Sequence, residues 1–287
     1  VNDKVILVDA GPDIRNQLIP LGLKKIDALL ITHTHSDHVA GLDDLRAFYW
    51  PDRNEIPVHA TKQHSREILE RFPYLFKKLA ESPSYFIPPM KMHMISAGDK
   101  LDIGGCQIDV LHRDHGNTSS LGFLFDKKFG YSTDVVRMSD DVFDKLAGID
   151  LWIVEALRSS PHQSHSHYEQ TFGWIEKVKP RRAVLTHLGL DADYESLEPH
   201  CFASVSGDKK LQEIFDNGWD FYSYVAIQTE NLEGVSADKK ADNYLKKLDP
   251  VKRNKAKAYS LGVAYGMEAY ALKMTLGVDQ KTAEGLI

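Results

Sequence analysis

Short apolar runs alternate with amphipathic stretches over the first two thirds of the chain. An apolar run bounded by turn-forming residues is typical of a buried strand, and apolar positions three and four apart are typical of a helix that covers a sheet. The predicted strands are 5–8, 28–31, 57–60, 108–111, 121–125, 130–133, 151–154 and 183–185, and the helices predicted between them are 39–48, 63–72, 139–146 and 168–178. This alternation predicts an α/β fold of layered sheets and helices.

The predicted secondary structure changes near residue 190, from alternating strands and helices to helices. Up to that point, the two strands on either side of Lys127 and Lys128 are close enough to form a hairpin, which predicts a mixed sheet. Beyond it, helical spacing predominates at 209–217 and 253–276, and residues 239–257 carry eight Lys or Arg and two Asp, a local net charge of +6. We therefore predict two domains, 1–190 and 191–287.

Composition excludes several classes of protein. With 43% hydrophobic and 26% charged residues, the chain is neither disordered nor of low complexity, and its net charge of -6 gives no general reason to bind nucleic acid. No apolar run approaches the roughly 20 residues of a membrane helix and no signal peptide is evident, so we expect a cytoplasmic protein without a membrane partner. Cys106 and Cys201 cannot build a disulfide framework or a thiolate metal site.

The strongest chemical signal is a run of histidines directly after the predicted strand 28–31. It reads Thr32-His33-Thr34-His35-Ser36-Asp37-His38. Imidazole nitrogens and carboxylate oxygens are ligands that zinc, manganese and iron accept. Packing and solubility give no reason for such a run, so a metal site is favoured over a polar surface loop.

Further candidate ligands lie at the ends of later strands, where a rigid sheet holds the loops. They are His112, His115, Asp134 and His187, with a second histidine cluster in the loop 161–167. Spacing alone leaves open which of His112 and His115 points inward. Taken singly, each of these histidines is more often a surface residue than a ligand.

Together these segments resemble the metallo-β-lactamase superfamily, whose HxHxDH signature is present as His33, His35, Asp37 and His38. They are most similar to the branch of phosphoribosyl cyclic phosphate phosphodiesterases and ribonuclease-Z-like proteins. The resemblance is carried by 8–13, 32–46, 114–116, 131–135, 155–158, 161–165 and 185–187, and it covers about residues 1–190. It implies an αββα sandwich, truncated at the N-terminus because family members have a further strand and loop upstream of Val5.

The resemblance also implies a centre of two divalent metal ions, zinc or manganese. One ion would be held by His33, His35 and His115, the other by Asp37, His38 and His187, with Asp134 bridging. Two such cations give a bridging hydroxide near neutral pH and stabilise the charge that grows on a phosphoryl oxygen. The expected function is hydrolysis of a small phosphodiester, such as a cyclic phosphate or a nucleotide-like substrate.

Beside the ligands, the resemblance assigns roles to two histidines of the loop 161–167. His165 matches the family histidine near the leaving oxygen and is expected to be the general acid, acting with Asp134 and Asp37 as the catalytic set. His162 is expected to position the substrate. The alternative for His165 is a loop histidine with no chemical role.

From Asp193 onwards the sequence resembles family A DNA polymerases of phage type. Segment 193–208 is similar to motif A, a palm strand with a catalytic aspartate, here Asp193, and a glutamate five residues on, here Glu198. The motif B spacing RxxxKxxxxxxxYG of the fingers helix is matched by Arg253, Lys257, Tyr265 and Gly266. Arg253 and Lys257 share a helix face that can meet phosphates, so this basic helix is a candidate for DNA contact.

These observations leave alternative functions open. A mostly helical palm and fingers fragment without motif C is expected not to polymerise DNA alone, which favours the hydrolase. The alternative is a fragment of a family A DNA-directed DNA polymerase that binds nucleotide and DNA, and a third possibility is a non-functional fusion. The join near residue 190 fits both families, so the sequence does not distinguish a natural fusion from a reconstruction artefact.

Overall fold

The computed structural model describes residues 4–190, 192–264, 268–276 and 280–285. The chain divides into two compact units, Val1–Ala192 and Asp193–Ile287. In the described part of the chain every helix is too short or too polar to span a bilayer.

The described strands all belong to the first unit, and the elements of the second unit are helices. The strands are β1 (Ile6–Val8), β2 (Ala28–Leu30), β3 (Ile56–Ala60), β4 (Met90–Met94), β5 (Lys100–Ile103), β6 (Cys106–His115), β7 (Thr118–Phe125), β8 (Phe129–Ser132), β9 (Leu151–Glu155) and β10 (Ala183–Thr186). The helices of the first unit are α1 (Ile14–Leu18), α2 (Ser36–Val39), α3 (Lys62–Arg71), α4 (Pro73–Phe76), α5 (Asp140–Leu146) and α6 (Tyr168–Val178), with 3₁₀ helices at Ile19–Leu21 and Leu42–Phe48. The second unit contains α7 (Tyr194–Ser206), α8 (Lys209–Asp216), α9 (Phe221–Glu230), α10 (Leu245–Leu248), α11 (Pro250–Ala264), α12 (Ala269–Leu276) and α13 (Gln280–Gly285).

The strands form two sheets. Four parallel strands form a small sheet in the order β1-β2-β3-β4, and six strands form a larger sheet in the order β10-β9-β8-β7-β6-β5. In the larger sheet β8, β9 and β10 are parallel, whereas β5 to β8 pair antiparallel. The mixed sheet and the hairpin at Lys127 are confirmed: Asp126 and Lys127 have φ of 49° and 55°, the left-handed backbone that tight hairpin turns use.

Alternating burial along the strands places the core of the first unit. On one face of the small sheet, Val58 packs in a cluster with Leu42 and Ile68 from the covering helices. On the other face, Leu30 joins a cluster with Phe123 of the larger sheet. Helix α5 covers the outer face of the larger sheet, where Gly130 leaves room for Leu146. The layers are therefore helix, sheet, sheet and helix, the predicted αββα arrangement.

The predicted helix 39–48 is wrong as a single element. Helix α2 ends at Val39, and the 3₁₀ helix Leu42–Phe48 begins after Gly41. The Gly41 N–H donates to the carbonyl oxygen of Ala10 at 2.9 Å rather than continuing the helical series. This contact ties the loop after α2 to the loop after β1.

Two predictions for the second unit are also wrong. The expected palm strand around Asp193 and Glu198 is the start of helix α7, because the Asp193 carboxylate caps the helix by accepting from the Glu195 N–H. The expected helix 253–276 is divided into α11 and α12. The buried centre of this unit is formed by Ala226, Leu245, Ala256 and Tyr259.

Candidate metal centre

The seven predicted ligands lie at the ends of strands from both sheets. Four of them, His33, His35, Asp37 and His38, follow β2 in the small sheet. The others come from the larger sheet, where His115 ends β6, Asp134 follows β8 and His187 follows β10. Residues distant in sequence are brought together because these strand ends meet at one edge of the two sheets.

Asp134 lies between two groups of these ligands. Its Oδ2 is 3.6 Å from His33 Nε2 and 3.5 Å from His115 Nε2. Its Oδ1 is 3.1 Å from His38 Nε2 and 3.4 Å from His187 Nε2. The two carboxylate oxygens therefore face two different sets of imidazoles, which is the arrangement of a residue that can bridge two cations.

The remaining ligands complete the two groups. In the first group, His35 Nδ1 lies 3.3 Å from His115 Nε2. In the second group, Asp37 Oδ2 lies 3.3 Å from both His38 Nε2 and His187 Nε2. Within each group the ligand atoms lie within 4.8 Å of one another. The structure thus brings together all seven residues.

The structure also decides between His112 and His115. His115 is 2% exposed and faces Asp134, whereas His112 is exposed. Residues three apart in an extended strand lie on opposite faces, so only one of the two can reach the cluster.

Buried nitrogen atoms show that the cluster fits metal ions. Nε2 of His33 and Nε2 of His38 are buried and have no hydrogen-bond partner among the described residues. Their Nδ1 atoms do have partners, at 3.0 Å to Thr32 Oγ1 and 2.7 Å to Asp9 Oδ2. Imidazole nitrogens directed at a shared carboxylate, once any proton on them is displaced, are the donor set that a borderline divalent ion takes.

Hydrogen bonds behind the ligands hold the imidazoles in this orientation. His38 Nδ1 donates to Asp9, and His115 Nδ1 donates to the Ser164 carbonyl oxygen at 2.7 Å. Asp9 also accepts from the Thr32 N–H and hydroxyl, each at 2.7 Å. A proton fixed on Nδ1 leaves Nε2 free to bind a metal ion.

Glu155 is the fully buried carboxylate beside the second group. Its Oε2 accepts from the Val135 N–H at 2.6 Å, and its Oε1 accepts from His165 Nδ1 and lies 3.3 Å from His187 Nδ1. Sequence analysis gave no role to Glu155 or to Asp9. The signal that could have found them is an acidic residue at the end of an apolar strand.

The two histidines of the loop 161–167 lie at the rim of the cluster. The His165 ring is 4.7 Å from that of His115 and 5.1 Å from that of His187. The His162 ring is a further 4.9 Å from His165, and its Nδ1 accepts from the Ser164 N–H. Both are placed to contact a molecule bound over the ligands.

Burial and charge set the protonation of the ligands. Burial lowers the pKa of His33 to about 2, so this imidazole is neutral. Although burial opposes it, the neighbouring carboxylates of Asp134 and Asp9 raise the pKa of His38 to about 10. Likewise, Glu155 and Asp134 outweigh burial and raise the pKa of His187 to about 9. A binding cation must therefore displace protons from the second group.

The backbone of the site is strained. Asp9, Asp134 and His187 have φ of 61°, 48° and 55°, in the left-handed region that non-glycine residues seldom adopt. Such strain is concentrated where geometry serves a function. Close packing accompanies it, because a Cβ at Gly41 would lie 2.1 Å from the Gly11 carbonyl oxygen.

The polymerase-like basic residues form ion pairs with carboxylates of the second unit. Arg253 is 2% exposed, makes two hydrogen bonds of 3.1 Å to Asp220 and lies 2.7 Å from Glu195. Lys257 also pairs with Glu195, at 2.8 Å. Of the other residues in this set, Asp193 and Glu198 are exposed, and Tyr265 lies outside the described residues.

Comparison with known proteins gives different relatives for the two ends of the chain. A family model for DNA polymerase family A matches residues 176–287. DNA polymerase I of Thermus filiformis is 35% identical over 110 residues, which is 37% of this chain and 12% of that protein. An octanoyltransferase of Porphyromonas gingivalis is 30% identical over 219 residues, 74% of this chain and 43% of that protein. The chain thus spans less than half the length of either curated relative.

A solved structure and a second family model each match more than half of the chain. A crystal structure described as a new diphosphatase from the PhnP family has 30% identity and a TM-score of 0.60, covering 67% of this chain and 71% of that chain. The family model described as "Beta-lactamase superfamily domain" matches residues 4–188, which include all seven candidate ligands. The chain therefore belongs to the β-lactamase superfamily.

Proposed function

We propose that the first unit hydrolyses a small phosphodiester, of the cyclic phosphate or nucleotide-like class, at a centre of two zinc or manganese ions. The observation that carries the proposal is the position of Asp134, whose two carboxylate oxygens face separate groups of imidazoles. Bound ions would supply Lewis acidity, lowering the pKa of a water molecule and neutralising charge on a phosphoryl oxygen. Similarity to a diphosphatase supports a phosphorus-containing substrate.

In this proposal His165 is the general acid. Its Nδ1 is held by the buried Glu155, so the second ring nitrogen is free to donate a proton to the leaving oxygen. Glu155 acts through His165 and is a positioning residue. The half-exposed His162, next to His165, would bind the substrate.

Two carboxylates complete the proposed catalytic set. Asp134 is fully buried, and although burial opposes ionisation, the neighbouring His38 holds its pKa far below the usual range, so it stays charged. Asp37 has a side chain 58% exposed and lies on the open side of the second group, where it can orient an attacking water molecule.

The proposal is tested with protein stripped by a chelator and reloaded with zinc or manganese. We expect hydrolysis of bis(p-nitrophenyl) phosphate only after reloading, with at least two metal equivalents bound. His115→Ala should abolish turnover, whereas the matched variant His112→Ala should retain it, because His112 lies outside the cluster. Less than one equivalent of metal, or no cleavage by fully loaded protein, would refute the proposal.

A second candidate function is supported by the match of residues 176–287 to family A DNA polymerases. In this alternative the second unit binds nucleotide or DNA through its basic helix. The ion pairs of Arg253 and Lys257 with Glu195 oppose it, because phosphates would have to displace the Glu195 carboxylate. Primer extension with the full chain tests it, and incorporation of nucleotide would favour the polymerase.

A further inference from the structure

A second pair of histidines lies on the small sheet, away from the seven ligands. His59 of β3 and His93 of β4 are register partners on adjacent parallel strands. Alternate residues of these strands, including Val58 and Met90, pack against the helices, so the two histidines project from the opposite face, toward the larger sheet. Their rings are stacked, with centroids 5.0 Å apart and planes 20° apart.

The two imidazoles open into a cavity of about 340 Å³ between the sheets. Its other walls include Lys4 and Asp27, which precede β1 and β2, and Asp102 of β5. The metal centre, in contrast, is built where β1 and β2 end. The cavity extends to the opposite end of β1 and β2, and its lining residues include none of the seven ligands, so it is separate from the candidate catalytic site.

One nitrogen in this cluster has no partner. Nδ1 of His59 is buried and forms no hydrogen bond with any described residue, as is true of the ligand nitrogens of His33 and His38. A buried polar atom without a partner is costly, so in native proteins such an atom is usually paired with water or an ion. Burial and the adjacent His93 lower the pKa of His59 to about 4, so at neutral pH its imidazole offers a lone pair.

The charges in the cavity give no preference for an anion. The ammonium groups of Lys4 and Lys25 are both paired with Asp27, at 3.2 and 3.1 Å. Asp102 adds a further carboxylate, and its oxygens accept from the Gly105 N–H and from Gln107. The carboxylates of Asp27 and Asp102 thus balance the two ammonium groups, so the cavity has no excess positive charge to attract a phosphate.

We propose that His59 and His93 form a further metal site that binds one borderline divalent ion, such as zinc, through two imidazole nitrogens. With zinc–nitrogen distances of about 2.0–2.1 Å, two nitrogens of one tetrahedral ion lie about 3.3 Å apart. Because the two rings are nearly parallel, one imidazole must rotate about its soft χ2 torsion for both lone pairs to meet at the ion. Water fills the remaining positions from the cavity. The ion joins the edge strand β4 to β3.

Metal stoichiometry tests the proposal on the full chain. Wild-type protein is dialysed against buffered zinc, and bound metal is counted by plasma mass spectrometry. The double variant His59→Gln/His93→Gln should bind one equivalent less than wild type, while its rate of phosphodiester hydrolysis is unchanged. The matched variant His112→Gln, which removes an exposed histidine, should keep the wild-type count. Equal zinc content in the double variant and wild type overturns the proposal.

A second test uses only wild-type protein, so its outcome does not depend on whether a variant folds. Diethyl pyrocarbonate modifies free imidazoles, and peptide mass spectrometry locates the adducts. Zinc should reduce modification of His59 and His93 severalfold and leave His112 unaffected. Equal modification of the pair with and without zinc overturns the proposal, whatever the outcome at the catalytic cluster, so failure here is distinguishable from failure of the proposed hydrolase.

Discussion

Replacement of Asp9 by asparagine should weaken metal binding in one ligand group and leave the other nearly unchanged. The Asp9 carboxylate accepts three hydrogen bonds of 2.7 Å, two from Thr32 and one from His38 Nδ1. Asparagine tolerates the left-handed backbone at this position as well as aspartate does, so Asp9→Asn changes the chemistry and not the backbone strain. One amide oxygen can still accept from the Thr32 N–H, but the amide nitrogen now faces His38.

This substitution changes which ring nitrogen of His38 carries the proton, and therefore whether Nε2 can bind a metal ion. Facing an N–H donor, its imidazole must take the tautomer with a lone pair on Nδ1 and the proton on Nε2, the nitrogen that faces Asp134. A metal ion in the second group then loses a ligand or must force the original tautomer. Loss of a hydrogen bond behind a ligand costs about 10–100-fold in metal affinity, or about 1.4–2.7 kcal/mol.

The assay is a competition titration with a chromogenic chelator, carried out with His59→Gln/His93→Gln protein so that only the two equivalents of the metal centre are counted. We expect the weaker equivalent of Asp9→Asn to lose affinity by that factor, while the other changes little, because His33 keeps Thr32 as its partner. The control Asp13→Asn alters an exposed aspartate nearby and should match wild type. Equal weakening of both equivalents, or of neither, would refute the reasoning.

Three further predictions concern catalysis and folding. Asp134→Ala should abolish hydrolysis and lower metal content at both positions, and full activity of this variant in a spectrophotometric assay would exclude a bridging role. His165→Ala should lower kcat by about 10²–10⁴-fold with metal content unchanged, and loss of metal would mean that His165 is a ligand. Gly41→Ala should destabilise the fold by several kcal/mol, because the new Cβ meets the Gly11 carbonyl oxygen at 2.1 Å. In thermal unfolding, its control Gly173→Ala, in α6 with open space at the Cβ, should change stability by no more than about 1 kcal/mol.

The sequence predicted the strands that carry the ligands because each contains an apolar run, although only β2 is buried along its whole length. It missed β4 and β5, whose short edge segments mix Lys and Asp with apolar residues. The choice between His112 and His115 could not be made locally, since it depends on which face of β6 meets the other sheet. Such information lies in tertiary packing and not in spacing.

The second unit shows the limit of a family motif as a guide to local structure. The segment after Asp193 was expected to be a strand, but the aspartate caps helix α7, which continues through Pro199. Arg253 and Lys257 do share a helix face as predicted, yet they meet Glu195. A motif specifies residue types, and the partners of a basic side chain are decided by which carboxylates the fold places beside it.

Each ligand group of the metal centre draws on both layers of the sandwich: His33 and His38 follow the small sheet, whereas His115 and His187 extend from the large one. An ion held there is a cross-link between layers, and its binding free energy adds to their cohesion. At a free metal concentration 1,000 times the Kd, one such ion contributes about 4.1 kcal/mol, a substantial fraction of the stability of an ordinary domain. Chelation should therefore loosen the layers as well as stop the chemistry, and resistance to proteolysis becomes a measure of metal supply.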